Sequence, residues 1–390
     1  MPGHAAAKKN RHVFGHPKRP VYRGILSSFA ASSICTAPNA RTKKFRGIGD
    51  LANPTMAEVA RLAGVSISTV SRCLNDPDKV GRKTLARVRK VIDEINFSPN
   101  MLAQSFRRGK TDVVMVVLHE IGNPLFVEIL EGIRSVLDGR YSLVLSESRS
   151  GLAQDNNFID MLVAKQVEGV ILLCSLFPFS RKLIEIEKSR QLPIVIGLEP
   201  VSEELNKLPS VHIDNCEAAL DATNYLITLG HTDIVFVSGP KNSFVTKDRE
   251  LGFTKAMKQA GIKLSGDSVL YSDLTINGGV NAANHVLRRS ILPSAIFCAN
   301  DDLALGCMSA AEKSGIKIPG QISVMGFDDM RYAGIANPPL STVAQPTRDI
   351  GINAAKRLLK AIEDPDENDR LVEILPHRLV IRQSTGPRRK

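Results

Sequence analysis

The sequence predicts a small all-helical head followed by a larger α/β body. Residues 55–110 carry eleven Lys or Arg and five acidic residues, whereas residues 111–390 carry thirty and thirty-four. Three short amphipathic helical patterns begin at Thr55, and beyond Thr111 apolar β-branched runs alternate with helical patterns. Runs that are apolar on both faces are typical of parallel strands covered by helices on each side. A body of about 280 residues favours two Rossmann-like subdomains over one.

Length and composition exclude several classes of protein. At 390 residues, with 43% hydrophobic and 23% charged residues, the chain has the composition of a soluble globular protein. No stretch approaches ~18 uninterrupted apolar residues, so we predict no membrane span. The six cysteines form no C-x-x-C pair, which favours buried thiols over disulfides or a zinc site. P-loop, G-x-S-x-G and H-E-x-x-H motifs are absent, so we predict no catalytic site, metal or cofactor.

Residues 1–54 form a basic extension with ten Lys or Arg and a single acidic residue, Asp50. The segment has no sustained periodicity, so we predict that it is disordered. Three interpretations remain open: a basic arm for a polyanion, a transit peptide, or a reading frame whose true start lies near Leu51 or Met56. A mildly acidic body with a basic front is typical of a protein whose N-terminal part contacts nucleic acid.

Residues 55–98 are predicted to form a helix-turn-helix domain. Thr55 and Glu58 match a capping box, and Gly64 is expected to end the first helix in the left-handed conformation. Ser66 is expected to cap the second helix.

The second helix is predicted over Ile67–Leu74 and a third over Arg82–Ile95. The tight turn between the first two helices, with small Ala60 facing branched Val70, is typical of helix-turn-helix geometry. A three-helix bundle without a DNA-binding role remains the alternative at this point.

Residues 99–110 are predicted to form a hinge helix and linker, with about two helical turns capped at Asn100. A helix this short is marginal in water because so few residues do not recover the cost of nucleation. It therefore needs a partner surface. An ordinary interdomain linker is the alternative.

Residues 111–390 are predicted to form the α/β body. The expected strands are Val113–Leu118, Ser142–Leu145, Gly169–Leu173, Ile194–Gly197, Val211–Ile213, Ile234–Ser238, Ala295–Ala299 and Ser323–Phe327. The expected helices include Phe126–Leu137, Phe158–Lys165, Glu217–Leu229, Leu251–Ala260 and Leu303–Ser314.

Several motifs occur in one order along the chain. The head contains TMAEVARLAGVSISTVSRCLNDP, and the body contains VHIDN, FCANDDLALG, SVMGFDD and PPLSTVAQP. Over about residues 55–386 the chain resembles the lactose/purine repressor family of bacterial transcriptional regulators. Stretches such as FIDMLVAKQVEGVILL are similar to the cytidine-responsive subgroup of that family.

The resemblance implies a homodimer whose body resembles periplasmic solute-binding proteins and binds a small ligand in a cleft. The chain would cross between the subdomains near residues 211–214, 327–330 and 368–373. The first subdomain would comprise residues 111–212 and 330–368, and the second residues 213–328 and 372–386. No leucine heptads follow Thr385, which favours a dimer over a tetramer.

The resemblance also implies which residues contact DNA. Base edges in the major groove would be read by Ile67, Ser68 and Arg72, with Arg72 suited to guanine and Ile67 to a thymine methyl. Phosphates would be held by Ser66, Thr69, Ser71, Lys83 and Thr84.

In the hinge, the residues expected at the minor groove are Asn100, Ala103 and Phe106. By the family's pattern, Phe106 would wedge into the central base step, where the family usually presents leucine; Phe is among the apolar wedges that kink DNA in this way. Burial of Phe106 against its own protein is the alternative.

For the ligand, the resemblance implies hydrogen bonds from Arg249 and Asp301 to hydroxyl groups. Phe126 would form one apolar wall and Leu274 the opposite wall, where the family often has an aromatic residue. An aliphatic wall forfeits stacking energy of order 1 kcal/mol, which weakens the nucleoside interpretation. Asp214 and Asn215 either belong to this ligand cleft or only cap the helix that follows them.

Together these expectations describe a cytoplasmic bacterial repressor. Its partners would be double-stranded operator DNA, a second copy of the chain and a small effector, either a nucleoside or a sugar. The alternatives are a transcriptional activator, a ligand-independent architectural DNA binder and a solute-binding receptor, with an enzyme as a further rival.

Overall fold

The computed structural model describes residues 54–97, 111–148, 157–164, 166–174, 180–190, 192–199, 205, 207–364 and 372–389. The chain divides between Ser98 and Pro99 into two compact units, a head and a body. Most of the basic extension and the hinge helix, with Asn100, Ala103 and Phe106, fall outside the described residues.

Three helices form the head: α1 (Met56–Ala63), α2 (Ile67–Asn75) and α3 (Arg82–Glu94). Thr55 Oγ1 accepts a hydrogen bond from the Glu58 N–H at 3.3 Å, and Gly64 ends α1 with a φ of +61°. Ser66 Oγ caps α2 by accepting from the Thr69 N–H at 3.1 Å. The predicted N-caps at Thr55 and Ser66 and the left-handed conformation of Gly64 are confirmed, and each hydroxyl satisfies an N–H group that a helix start leaves without a partner.

The head core is small and apolar. Val59 of α1, Val70 of α2 and Val88 of α3 have no exposed surface, and Ala60 is packed in the same cluster. Since one valine comes from each helix, this cluster fixes the angle at which α2 leaves the turn after α1.

The first half of the body is a parallel six-stranded sheet. Its strands are β1 (Val113–Leu118), β2 (Ser142–Glu147), β3 (Gly169–Leu172), β4 (Ile194–Leu198), β5 (Ser210–Ile213) and β11 (Val372–Leu375), in the order β11-β5-β4-β3-β1-β2. The helices of this half are α4 (Leu125–Leu137), α5 (Asn157–Val163), α6 (Ser180–Arg190) and α11 (Thr347–Glu363). Helices α4 and α11 cover one face, and the core residues of α5 and α6 lie on the other.

The second half is a mixed six-stranded sheet. Its strands are β6 (Ile234–Ser238), β7 (Val269–Tyr271), β8 (Ala295–Cys298), β9 (Ser323–Asp328), β10 (Ser341–Ala344) and β12 (Arg378–Val380), in the order β12-β10-β9-β8-β6-β7. Only β12 runs antiparallel to its neighbour among the described pairs. The helices are α7 (Asn215–Thr228), α8 (Phe244–Gln259), α9 (Ile276–Val286) and α10 (Asp301–Lys313).

The predicted fold class is confirmed, but two of the three expected crossings between subdomains are wrong. Residues 330–368 were assigned to the first subdomain, yet β10 pairs with β9 in the second sheet, so the chain crosses at residues 344–347 and not at 327–330. Residues from 372 onward were assigned to the second subdomain, yet β11 pairs with β5, so the last crossing lies at residues 375–378. Both strands are short and take their hydrogen-bond partners from distant parts of the chain, which local patterning does not reveal.

No helix in the described ranges is long and apolar enough to cross a membrane. Within the same ranges, no group of His, Cys, Asp and Glu side chains is arranged to hold a metal ion.

Glycines allow the helices of the body to approach at backbone distance. A methyl group on Gly132 of α4 would collide with the carbonyl oxygen of Arg348, and one on Gly351 of α11 would collide with that of Ile129. In the second half, Gly279 of α9 and Gly306 of α10 form a similar reciprocal contact, with backbone atoms on both sides. These close pairs set the spacing between neighbouring helices on the sheets.

We expect Gly132→Ala to lower the stability of the body. The clash is with backbone atoms, so α4 and α11 must separate, and overpacking of this kind costs ~1–3 kcal/mol. That cost outweighs the gain in helix propensity, about 1 kcal/mol at most. Thermal unfolding followed with an extrinsic dye would measure a fall of several degrees in Tm. Gly122→Ala is the matched control, because its new methyl group would have only Glu120 Oε1 nearby, at 3.8 Å. Equal Tm values for the two variants would contradict the close-packing argument.

Candidate nucleic-acid interface and ligand cleft

Helix α2 presents a polar face to solvent. Val70 and Cys73 are buried in the head core, whereas Ile67, Ser68 and Arg72 are exposed on the other side of the helix. The side chain of Ile67 is 50% exposed. The three residues predicted to read bases therefore share one accessible face.

A cluster of hydroxyl groups surrounds the start of α2. Ser66 Oγ lies 2.8 Å from Ser68 Oγ and 2.9 Å from Thr69 Oγ1. Helix starts carry free N–H groups and a partial positive charge, which favour a phosphate. Ser66 and Thr69, both predicted to hold phosphates, are thus placed where an anion would be stabilised.

The other three predicted phosphate contacts differ from one another in exposure and in hydrogen bonding. Lys83 is exposed and Thr84 half-buried in the first turn of α3. The Ser71 hydroxyl accepts a hydrogen bond from Asn75 Nδ2 at 3.3 Å. Asn75 is exposed seven residues after Ser68, on the same face of α2. The sequence did not indicate Asn75 as part of this face, because Asn75-Asp76-Pro77 is typical of the end of a helix.

In the body, Arg249 of α8 lies buried at the carboxyl edge of the second sheet. Its Nε donates to Asn215 Oδ1 at 2.9 Å, and Nη1 donates to the Ala299 carbonyl oxygen. Nη1 also lies 3.4 Å from Asp328 Oδ1, and the guanidinium sits 3.6 Å from the centroid of the Phe327 ring. Arg249 therefore joins the ends of β5, β8 and β9.

Polar atoms without partners lie next to this cluster. Asn215 Nδ2, Ser238 Oγ and Gln345 Oε1 are buried, and none has a hydrogen-bond partner among the described residues. Gln345 Nε2 donates to Asp328 Oδ1 at 2.7 Å, which fixes the orientation of its amide. Buried polar groups are seldom left unsatisfied in the absence of a ligand or ordered water.

The Asp301 carboxylate, predicted to accept from ligand hydroxyls, has no exposed surface. Its Oδ2 accepts from the Met330 N–H at 2.7 Å and its Oδ1 from the Thr342 hydroxyl at 2.6 Å. Burial raises the pKa of this carboxyl well above its ordinary value. In this structure Asp301 ties α10 to β9 and β10, whereas its neighbour Asp302 is half-buried, with a pKa raised by burial and by the charge of Glu120.

The two predicted apolar walls differ in position. Phe126 is 4% exposed and packs in the core between α4 and the first sheet. Leu274 lies against Gly239 at the end of β6, with a φ of +65°, and its carbonyl oxygen accepts from Asn300 Nδ2 at 2.9 Å. Arg249, Leu274 and Asp301 are therefore gathered around the loop after β8, while Phe126 belongs to the first subdomain.

Glu199 directly follows β4, at the edge of the first sheet that faces this cluster. Its carboxylate lies 3.7 Å from His119 Nε2, and its charge contributes to the raised pKa of Asp328 and of Cys174. The carboxyl edges of the parallel strands in the two sheets thus face each other, the usual position of a ligand site in α/β folds.

A cavity of about 340 Å³ lies between the two halves of the body. Leu125, Val127 and Glu128 line it from α4, and Asp328, Gln345 and Thr347 line it from the second sheet and the crossing after β10. Its volume is at the lower end of the ~300–1,000 Å³ typical of small-molecule sites. None of the four predicted ligand residues lines this cavity, but Val127 and Leu125 flank Phe126, and Asp328 contacts Arg249.

The sequence interpretation missed the polar residues that connect Arg249 to this cavity. Asp214 does cap α7, by accepting from the Glu217 N–H at 2.9 Å, whereas Asn215 contacts Arg249. Asp328 lies in the motif SVMGFDD and Gln345 in PPLSTVAQP, and the sequence alone indicates no role for either residue. The available signal was their position at strand ends. Asp328 follows the predicted strand Ser323–Phe327, and Gln345 follows β10, a strand that was not predicted.

Both parts of the chain match known families and proteins. Residues 55–100 match the model described as bacterial regulatory proteins, lacI family, and residues 223–385 match that of a periplasmic binding protein-like domain. The HTH-type transcriptional repressor CytR of Escherichia coli K12 is 35% identical over 334 residues, which cover 85% of this chain and 96% of that relative.

Two solved structures are similar over the same extent. A Lac repressor dimer bound to operator and the anti-inducer ONPF is 28% identical with a TM-score of 0.75. A complex of the transcriptional regulator CelR with cellobiose is 31% identical with a TM-score of 0.64. Each match covers 85% of this chain and 99% of the other.

We expect the stability of the body to depend on pH through Asp328. Burial raises the pKa of its carboxyl to about 6, against 3.8 for an ordinary aspartate. The folded protein therefore binds this proton more tightly than the unfolded chain does. The resulting stabilisation is present below about pH 4 and is lost as the pH rises through about 6. As the pH rises from about 4 to about 6, the free energy of unfolding of the wild type should fall relative to that of Asp328→Asn.

Urea unfolding at a series of pH values measures this difference. Asp233→Asn is the control, because Asp233 is exposed in the same half of the body. Parallel pH curves for the wild type and Asp328→Asn would show that the carboxyl has the same pKa in both states.

Proposed function

Because the chain belongs to the lacI family of bacterial regulatory proteins, we propose that it is a sequence-specific transcriptional repressor whose affinity for operator DNA is controlled by a small molecule bound in the body. The observation that carries this proposal is the exposed face of α2. It places an isolated apolar side chain, a hydroxyl group and a guanidinium together on a basic domain.

The chemistry of that face suits the major groove. Arg72 can donate two hydrogen bonds to guanine O6 and N7, Ser68 can donate or accept, and Ile67 can contact a thymine methyl group. Ile67 has no hydrogen-bonding group, so base selection rests mainly on Arg72. The hydroxyl groups around Ser66 and the ammonium of Lys83 would hold the backbone and so fix the register of α2.

The active form we propose is a homodimer on a palindromic operator. A two-fold symmetric protein places its two recognition helices about one helical turn of DNA apart. The hinge residues Asn100, Ala103 and Phe106 remain a prediction within this scheme. Their short helix would fold when two copies pair in the minor groove.

Control by a ligand follows from where the cavity lies. Ala344, Gln345 and Thr347 belong to the crossing after β10, and Arg378 begins the strand after the last crossing. An occupant would contact two of the three connections between the subdomains. It would therefore favour one relative orientation of the two sheets, and the coupling to DNA affinity is worth tenfold per ~1.4 kcal/mol.

The effector class we propose is a nucleoside or a sugar. CytR is among the relatives with high coverage, and CelR was solved with cellobiose. We assign no catalytic role to the cavity, since these relatives are transcriptional regulators. Because a repressor acts on the chromosome, we propose that this protein works in the bacterial cytoplasm.

We expect Arg72→Ala to lower affinity for the operator ~10–100-fold, because one bidentate contact to guanine is worth about 1–3 kcal/mol. The operator is first recovered from a randomised duplex library with the full chain. Fluorescence anisotropy then measures affinity for that sequence and for an unrelated duplex. The loss should be confined to the operator, and base preference at one position should relax.

Lys90→Ala is the matched control. Lys90 is an exposed cation two helical turns beyond Lys83 on α3, 3.8 Å from Glu94. Its removal should weaken binding to both duplexes by a similar small factor. Failure of the library to yield any sequence would refute the proposed function, and an Arg72→Ala variant with full operator preference would refute the assigned reader.

A further inference from the structure

Positive charge is concentrated at the amino edge of the second sheet, opposite the carboxyl edge that borders the cavity. Strands β6, β7, β8 and β9 run parallel, so the loops that precede them meet at one edge, where the C-terminal tail also contacts β9. The amino edge comprises residues 229–233, 258–268, 287–294, 312–322 and 386–389. It carries eight Lys or Arg and three acidic residues, whereas the whole body carries thirty and thirty-four.

Three of these cations lie close together on the tail and on the loop before β9. A methyl group on Gly320 would lie 3.3 Å from Lys317 Cβ and 3.7 Å from Arg389 Cζ, so both side chains border this glycine. The Arg388 N–H donates to the Leu229 carbonyl oxygen at 2.9 Å, which holds the tail against the edge. The tail is therefore fixed in place, and its two arginines add to the charge of Lys317.

The cations of the amino edge are not neutralised by the protein. None of the eight pairs with a carboxylate in the part of the chain that the structure describes. Arg388 Nη1 donates to the Thr232 hydroxyl at 2.6 Å, and Arg289 Nη2 donates to the Asp267 carbonyl oxygen at 2.7 Å. Both acceptors are neutral. Like charges held near one another repel, so an anion that joins them is stabilised.

The ends of helices account for only part of this charge. Helices α7, α8, α9 and α10 all end at the amino edge, and each helix end carries about half a negative charge. Lys258 and Lys313 lie in the last turns of α8 and α10 and so serve these helix ends. Lys317, Arg388 and Arg389 lie outside the helices. An excess of positive charge remains for a partner.

The layout of the edge suits a phosphate backbone. The loops before β9, β8, β6 and β7 follow the strand order, and three strand spacings of ~4.8 Å give a row about 14 Å long. That length matches about four nucleotide steps of ~3.4 Å on one strand of a duplex. Exposed hydroxyl groups, which with cations are the usual phosphate contacts, accompany the row at Thr232, Ser265, Ser290 and Ser314.

A protein partner fits this edge less well. Protein interfaces usually have an apolar centre. Among the described residues of the amino edge, the large apolar side chains that are exposed are Leu264 and Ile291.

We propose that the amino edge of the second sheet is a second DNA contact, which binds the phosphate backbone of a duplex segment other than the one that α2 reads. The contact is independent of base sequence, because it involves cations and hydroxyl groups and no element that enters a groove. It goes beyond the proposed function and allows one repressor to hold two segments of duplex.

The test uses the full-length protein with its heads already occupied. Unlabelled operator duplex is added to saturation, and a fluorescent duplex of unrelated sequence is then titrated at a series of salt concentrations. Anisotropy should show binding of the second duplex, with log K falling linearly against log salt concentration.

The double substitution Lys317→Gln with Arg389→Gln locates the contact. Each lost phosphate contact lowers the salt slope by about 1, so the slope should fall by about 2. Near ~0.1 M salt the affinity for the second duplex should fall about tenfold or more. Lys247→Gln with Lys356→Gln is the matched control, since both lysines are exposed on α8 and α11 and lie outside the amino edge. Operator affinity and Tm should be the same in both double variants.

Three results would overturn the inference: no binding of a second duplex, an unchanged salt slope in the Lys317→Gln, Arg389→Gln variant, or an equal loss in the control. Polyglutamate tests the other class of partner. If it displaces the second duplex at a lower concentration of charged groups than unlabelled duplex does, the edge prefers an acidic protein and the inference is wrong.

Failure of the proposed function is seen separately, in the first step, as the absence of an operator complex. The salt slope for the unrelated duplex, compared between the two double variants, still tests the amino edge in that case. A protein that binds its operator but no second duplex refutes only this inference.

Discussion

A single buried guanidinium organises the carboxyl edge of the second sheet. Arg249 reaches from α8 to Asn215, Ala299 and Asp328, which stand at the ends of three different strands. A buried cation is stable only when its donors are paired, so each of these contacts restricts the conformation of its neighbour. Asp328 in turn orients Gln345. The polar surface of the cavity therefore depends on a residue that does not itself line it.

This arrangement lies where the two halves of the body are joined. The crossings at residues 213–215, 344–347 and 375–378 connect the two sheets, and the cavity borders the second and third. Close helix pairs, such as the one through Gly132 and Gly351, make each half stiff. Stiff halves joined by three short segments respond to a ligand by reorientation, because their packed interiors resist deformation.

In the head, the residues that form the core and the residues that face solvent lie on separate sides of α2. One fully buried valine from each helix contributes to its core, and hydroxyl caps at Thr55 and Ser66 begin α1 and α2. With the inner face of α2 committed to Val70 and Cys73, its outer face is free to carry Ile67, Ser68 and Arg72. Residues on the outer face of α2 can therefore be exchanged without disturbing the core that holds the helix.

Local chemistry in the sequence determined the helical head, its caps, the α/β alternation and most strands, because caps and buried β-branched runs act within a few residues. Only the tertiary structure decided which sheet receives β10 and β11, since their partners are far away in sequence. It also decided the roles of similar residues. Asp301 accepts hydrogen bonds from Met330 and Thr342. Asn215 and Asp328 instead contact Arg249, and Gln345 contacts Asp328. A motif specifies which groups are present. Their burial and their partners, which set charge and availability, arise only when distant strand ends are brought together.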